Sequence, residues 1–131
     1  MSEKIAKILV VDDVEGWRKF NSQVVKTIFG DESIIETADS AAEAYNKVVE
    51  HNNNPYDVII ADLQMEDDYA PKYAGEWLVE QIKSLPSYYK TKIVMVSATY
   101  NIKTIADNLG VNCVPKSTAI KCVSAYEEAL Q

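Results

Sequence analysis

The chain has 131 residues, 47% of them apolar and 25% charged, the size and balance of one compact domain that folds without a staple. Its net charge of −7 argues against generic binding to nucleic-acid phosphates or an anionic membrane surface, so neither is expected as a partner. Met1–Lys7 lacks an apolar signal core, no apolar run is long enough to span a bilayer, and Cys113 and Cys122 lie nine apart without metal-ligand spacing; a reduced, cytoplasmic protein with both cysteines buried as small hydrophobes is expected.

Lys7–Val11 (KILVV) reads as a buried strand, because a short β-branched run without alternation suits the centre of a parallel sheet. Val14–Phe29 carries Trp17, Phe20, Val24 and Ile28 on one helical face and stops at Gly30-Asp31. Ser33–Ala38 is a weaker second strand. Ser40, with Glu43 three residues on, opens a helix through a capping box, and His51-Asn52-Asn53-Asn54-Pro55 ends it. Tyr56–Leu63 (YDVIIADL) is the third strand, followed by an irregular acidic stretch from Gln64 to about Tyr73. A helix carrying Trp77, Leu78, Ile82 and Leu85 stops before Pro86, and Lys92–Ser97 (KIVMVS) is the fourth strand. A short helix around Ile102, Ile105 and Leu109 ends at Gly110, and Val111–Val114 is the fifth strand. One last helix, from about Thr118, carries Ile120, Val123, Tyr126 and Leu130. Trp17 and Trp77 are expected to be core anchors, and His51 a solvated helix-end residue.

Five strand–helix repeats predict an α/β fold with an open, doubly wound parallel sheet, whose crossovers are right-handed helices. Ligands bind beyond the carboxyl ends of the strands in such sheets. Asp12 and Asp13 follow the first strand, Asp62 the third, Ser97 ends the fourth and Lys116 lies near the end of the fifth. Two unit charges 4 Å apart repel by about 4 kcal/mol at an effective dielectric of 20, so three carboxylates gathered in one crevice need a proton or a cation among them. Hard oxygen ligands on an open site suit Mg²⁺. A divalent ion beside a nucleophilic carboxylate, with an ammonium and a hydroxyl to hold phosphoryl oxygens, is equipment for phosphoryl transfer.

At these residues the sequence resembles the receiver domains of bacterial two-component systems, through ILVVDD (Ile8–Asp13), DVIIADLQM (Asp57–Met65), VMVSA (Val94–Ala98) and the lysine of VPKS (Val114–Ser117). The resemblance runs over essentially the whole chain and implies a flavodoxin-like (βα)5 fold of strand order 2-1-3-4-5, forming a single receiver domain over residues 1–131 with no output domain. It implies that Asp62 accepts a phosphoryl group from a sensor histidine kinase or a histidine phosphotransfer protein. It implies Mg²⁺ ligation by Asp13 and Asp62, by Asp12 through water, and by the backbone carbonyl of Gln64. Ser97 and Lys116 would then bind the phosphoryl oxygens, the Gln64 side chain would tune hydrolysis, and a downstream protein target would read the change. The chain would catalyse only its own phosphorylation and dephosphorylation.

Three features depart from that family. EDDYAPKYA (Glu66–Ala74) reads as an insertion beside the acceptor, which makes Gly75 the match to the family's glycine. Cys113 stands where the family has an aromatic switch residue, with Tyr100 as a conceivable substitute. Pro115 precedes Lys116 where the family's proline follows it. The alternative these departures raise is a phosphorylation-independent scaffold. A phosphohydrolase is disfavoured by Gln64 at the place of a second aspartate, and a flavin protein by the acidic Asp12–Gly16 loop.

Overall fold

A computed structural model of the chain describes residues 5–65 and 73–131, so most of the Glu66–Ala74 insertion lies outside the described residues. In chain order the elements are β1 (Lys7–Val11), α1 (Glu15–Phe29), β2 (Ile34–Ala38), α2 (Ala41–Glu50), β3 (Val58–Ala61) and α3 (Ala74–Lys83). A single 3₁₀ turn (Pro86–Tyr88) follows, then β4 (Lys92–Ser97), α4 (Ile102–Leu109), β5 (Asn112–Pro115), α5 (Lys116–Ala119) and α6 (Ser124–Ala129). All strand pairs are parallel, as the alternation of strands and helices predicted, and the sheet order is β2-β1-β3-β4-β5, as the family resemblance implied.

Alternate residues of each strand serve opposite faces of the sheet, which explains why the central strands are apolar throughout. Leu9, Val11, Ile59, Ala61 and Met95 meet Val48, Leu78, Ile82 and Ala106 from α2, α3 and α4 on one side. Ile8, Val10, Val58, Ile60, Val94 and Val96 meet Val24 and Val25 of α1 and Tyr126 of α6 on the other. Helix ends follow local chemistry. Ser40 Oγ accepts from Glu43 N at 3.1 Å and Glu43 Oε1 from Asp39 N at 2.9 Å, so the capping box forms with its return bond one residue before the cap. Gly110 ends α4 at φ 73°, the left-handed conformation that a side chain disfavours.

Several expectations are corrected. The last helix is two short ones, starting at Lys116 and separated at residues 120–123; Ile120 (67% exposed) and Val123 (41%) have no core to cover, while Tyr126 is buried. Trp77 is 39% exposed, lying against Tyr45 at a ring separation of 5.5 Å instead of inside the core. Cys113 is half-buried and Cys122 exposed, because the latter falls in the break between α5 and α6. His51 caps α2 half-buried, its Nδ1 2.8 Å from the carbonyl of Lys47 and its ring 4.7 Å from that of Tyr56. Leu85 follows the end of α3. Among the described residues, no helix is long and apolar enough to cross a membrane.

Candidate functional site

Strand register assembles the site. Val11 pairs with Ala61, so the next residues, Asp12 and Asp62, leave adjacent strands side by side. Ser97 pairs with Pro115, so Lys116 emerges next to the end of β4. Main-chain bonds fix the departures: Asp12 N donates to Ala38 O at 3.1 Å and Asp62 N to Val11 O at 3.0 Å. The Asp12 carboxylate then accepts from Val14 N at 2.9 Å, turning the chain into α1, and Arg18 Nη1 donates to Asp12 O at 2.8 Å.

Asp12, Asp13 and Asp62 each offer a carboxylate oxygen, and these three lie within 4.8 Å of one another. Asp12 is fully buried, Asp62 is 5% exposed and Asp13 is half-buried. The Lys116 ammonium stands 3.0 Å from Asp12 Oδ2 and 3.2 Å from Asp62 Oδ2. It donates a hydrogen bond to Asp62, whereas Asp12 Oδ2 is held as an ion pair with no aligned hydrogen bond. Ser97 is buried, and its Oγ lies 3.1 Å from Thr99 Oγ1 and accepts from Thr99 N at 3.3 Å. Gln64 is exposed, with its backbone N–H 3.3 Å from Asp62 Oδ1. All of the residues picked out by sequence thus meet at one end of the sheet.

Among the described residues one ammonium faces three carboxylates and cannot balance them. Burial pushes the Asp62 carboxyl above its ordinary value, the Asp12 charge adds to that, and Lys116 and the Ser97 hydroxyl only partly offset it. Burial likewise raises Asp12, against the Val14 N–H and Lys116. The donor set fits a hard divalent cation: carboxylate oxygens, two net negative charges after Lys116 is counted, and a buried Asp12 Oδ2 with unused accepting capacity.

Gly75 closes the back of the site. Its N–H donates to Leu63 O at 2.9 Å, and a Cβ there would stand 2.1 Å from Asp62 O and 2.7 Å from Leu63 Cα. The start of α3 therefore rests directly on the backbone of Asp62, an approach open only to glycine. Two contacts escaped sequence reasoning. Arg18 reaches back to a main-chain carbonyl, which no side-chain pattern announces. Trp17, read as a core anchor from its helical spacing, also places its ring centroid 4.7 Å from Lys116 Nζ.

A doubly wound parallel sheet thus gathers an acidic triad, a buried lysine and a hydroxyl at its carboxyl end. Residues 8–118 match the response regulator receiver domain, and the chain belongs to that family of signalling proteins. It is 33% identical over 95 residues to a gliding motility regulatory protein of Myxococcus xanthus, covering 72% of this chain and 11% of that much longer protein. Among solved structures, the chemotaxis response regulator CheY4 of Vibrio cholerae superposes with a TM-score of 0.68 at 25% identity, over 86% of this chain and 88% of that one. The phosphorylated cyanobacterial phytochrome response regulator RcpA shares the fold with a TM-score of 0.75 at 22% identity, over 97% and 94%.

Proposed function

We propose that the chain is a phosphoacceptor of a two-component phosphorelay, with Asp62 as the accepting residue and a sensor histidine kinase or histidine phosphotransfer protein as donor. The observation that carries this reading is the placement of the Asp62 carboxylate, nearly buried, 3.2 Å from Lys116 and within 4.8 Å of two further carboxylates. A carboxylate oxygen of Asp62 attacks phosphorus, the P–N bond to the donor imidazole breaks, and an acyl phosphate forms on Asp62 while the imidazole leaves with the electron pair. Lys116 and the Ser97 hydroxyl bind the phosphoryl oxygens and hold the nucleophile in line. Asp12, Asp13, Asp62 and the Gln64 carbonyl would hold Mg²⁺, which supplies the positive charge that keeps Asp62 ionised and neutralises the transferring group. The Gln64 side chain, at the exposed rim, lies where it can meet the water that later hydrolyses the acyl phosphate.

Phosphorylation adds about −1.5 to −2 charge and three acceptor oxygens at the ends of β3, β4 and β5. Ser97 and Lys116 are drawn toward it, which biases the surface of α4, β5 and the helices after it toward a protein target. Intact mass after incubation with acetyl phosphate and Mg²⁺ tests the reading. A phosphoryl adduct on the wild type that is absent from Asp62→Asn is the expected result. No adduct with acetyl phosphate or with a phosphohistidine donor would overturn it in favour of a scaffold that signals without phosphate.

A further inference from the structure

Lys116 has a third neighbour. Its ammonium carries three N–H donors, and two carboxylates occupy only part of its surroundings. The Trp17 ring lies on another side, 4.7 Å from Nζ to centroid, well inside cation–π range. The ring is itself fixed: it packs on the buried cluster of the α1–α6 face and meets Phe20 edge-on at 5.3 Å and 76°. Lys116 keeps little contact with water, being 9% exposed.

The arrangement matters because of what the carboxylates must do. Asp12 and Asp62 hold the ammonium by charge, and they are the same groups that would share a divalent cation. That cation repels the ammonium and weakens its hold at the moment it is needed. A lysine side chain on four methylenes then has rotamers leading away from the crevice. The indole face is uncharged, so its attraction persists whatever the carboxylates bind. We propose that Trp17 is a positioning residue that keeps the Lys116 ammonium in the crevice while the carboxylates exchange it for a cation, ready for the incoming phosphoryl oxygens. This inference rests on the phosphoacceptor reading of Asp62.

The chain has two tryptophans, and Trp77 lies on α3 against Tyr45, so a Trp77→Phe protein reports on Trp17 alone. Mono-, di- and trifluorotryptophan incorporated into that protein keep the shape of the ring while draining its face of negative potential. The rate of phosphorylation by acetyl phosphate with Mg²⁺ is expected to fall stepwise with fluorine number, by about ten-fold over the series, at unchanged folded stability. Trp17→Phe should retain more of the rate than Trp17→Leu, and Lys116→Met should shift the Trp17 emission before any donor is added. Equal rates across the fluorinated series, or an emission indifferent to Lys116→Met, would overturn the inference while leaving the phosphoacceptor reading standing. Absence of any adduct on the unfluorinated protein would overturn that reading and the positioning role with it.

Discussion

Strand β3 has an aspartate at each end, and the two meet opposite fates. Asp57, just before the strand, lies among main-chain bonds: its carboxylate accepts from Lys7 N at 2.9 Å, its N–H donates to Lys7 O at 2.7 Å, and its carbonyl accepts from Lys92 N at 3.0 Å. Around it, Thr91 Oγ1 donates to Tyr56 O at 2.7 Å and Lys7 Nζ to Asn54 O at 3.3 Å. Asp62, just after the strand, is buried and lies, among the described residues, with two other carboxylates and a single ammonium. One end of the sheet is saturated and ties strands together. The other carries, among the described residues, more negative than positive charge, the condition expected of a binding site and not of a joint.

The contrast can be broken or sharpened by measurement, and the largest effect belongs to Gly75. Gly75→Ala forces a methyl group against Asp62 O, so a loss of about 3 kcal/mol or more is expected in urea unfolding. A loss below about 1 kcal/mol would show that α3 yields there. Next, Asp57→Ala should cost about 1–2 kcal/mol through the orphaned Lys7 N–H, whereas Asp62→Asn should raise the melting temperature of the cation-free protein by a few degrees. Two losses of similar size would erase the distinction between the ends. Third, Mg²⁺ at ten times its dissociation constant should stabilise the wild type by about 1.4 kcal/mol and Asp13→Asn far less. Equal thermal shifts in both proteins would place the cation elsewhere.

The smallest effect is in pH. Asp12 and Asp62 have folded pKa values raised above 3.8, so the favourable contribution of each is complete below that value and is lost as pH rises through the folded one. At neutral pH their burial is therefore at its most costly. The stabilisation by Asp62→Asn, measured without divalent ions, should shrink as the pH is lowered from 7 toward 4. A constant difference across that range would mean that Asp62 titrates as an ordinary surface carboxylate.

Much of this was legible because the signals are short-range. Val58–Ala61 is apolar at every position, so it had to be a central parallel strand, and the residues after such strands had to gather at one edge. Asp12, Asp62, Ser97 and Lys116 followed from counting to strand ends. Where reading failed, the deciding contacts were distant. The spacing of Ile120, Val123, Tyr126 and Leu130 describes one helix, yet Tyr126 OH donates to Asn21 Oδ1 at 2.5 Å, and α6 docks on α1 through that buried bond without an unbroken helix from α5. Trp77 has the spacing of a core residue, but Leu78, Val79 and Ile82 already fill the buried face of α3. The link between Trp17 and Lys116 joins residues about three quarters of the chain length apart, and no local pattern reports it.

Because β5 is an outer strand, bonded on one side only and over four residue pairs to β4, the lysine at its end hangs from one of the two least tethered ribbons in the sheet. Cys113, small and half-buried on that strand, fills less space than an aromatic ring would. A tug on the Lys116 tip therefore acts on a strand with a hydrogen-bonded partner on one side only. On the proposed phosphoacceptor reading, a change of charge at that tip would be passed to the border strand itself, a mechanical response that needs no bulky side chain to swing.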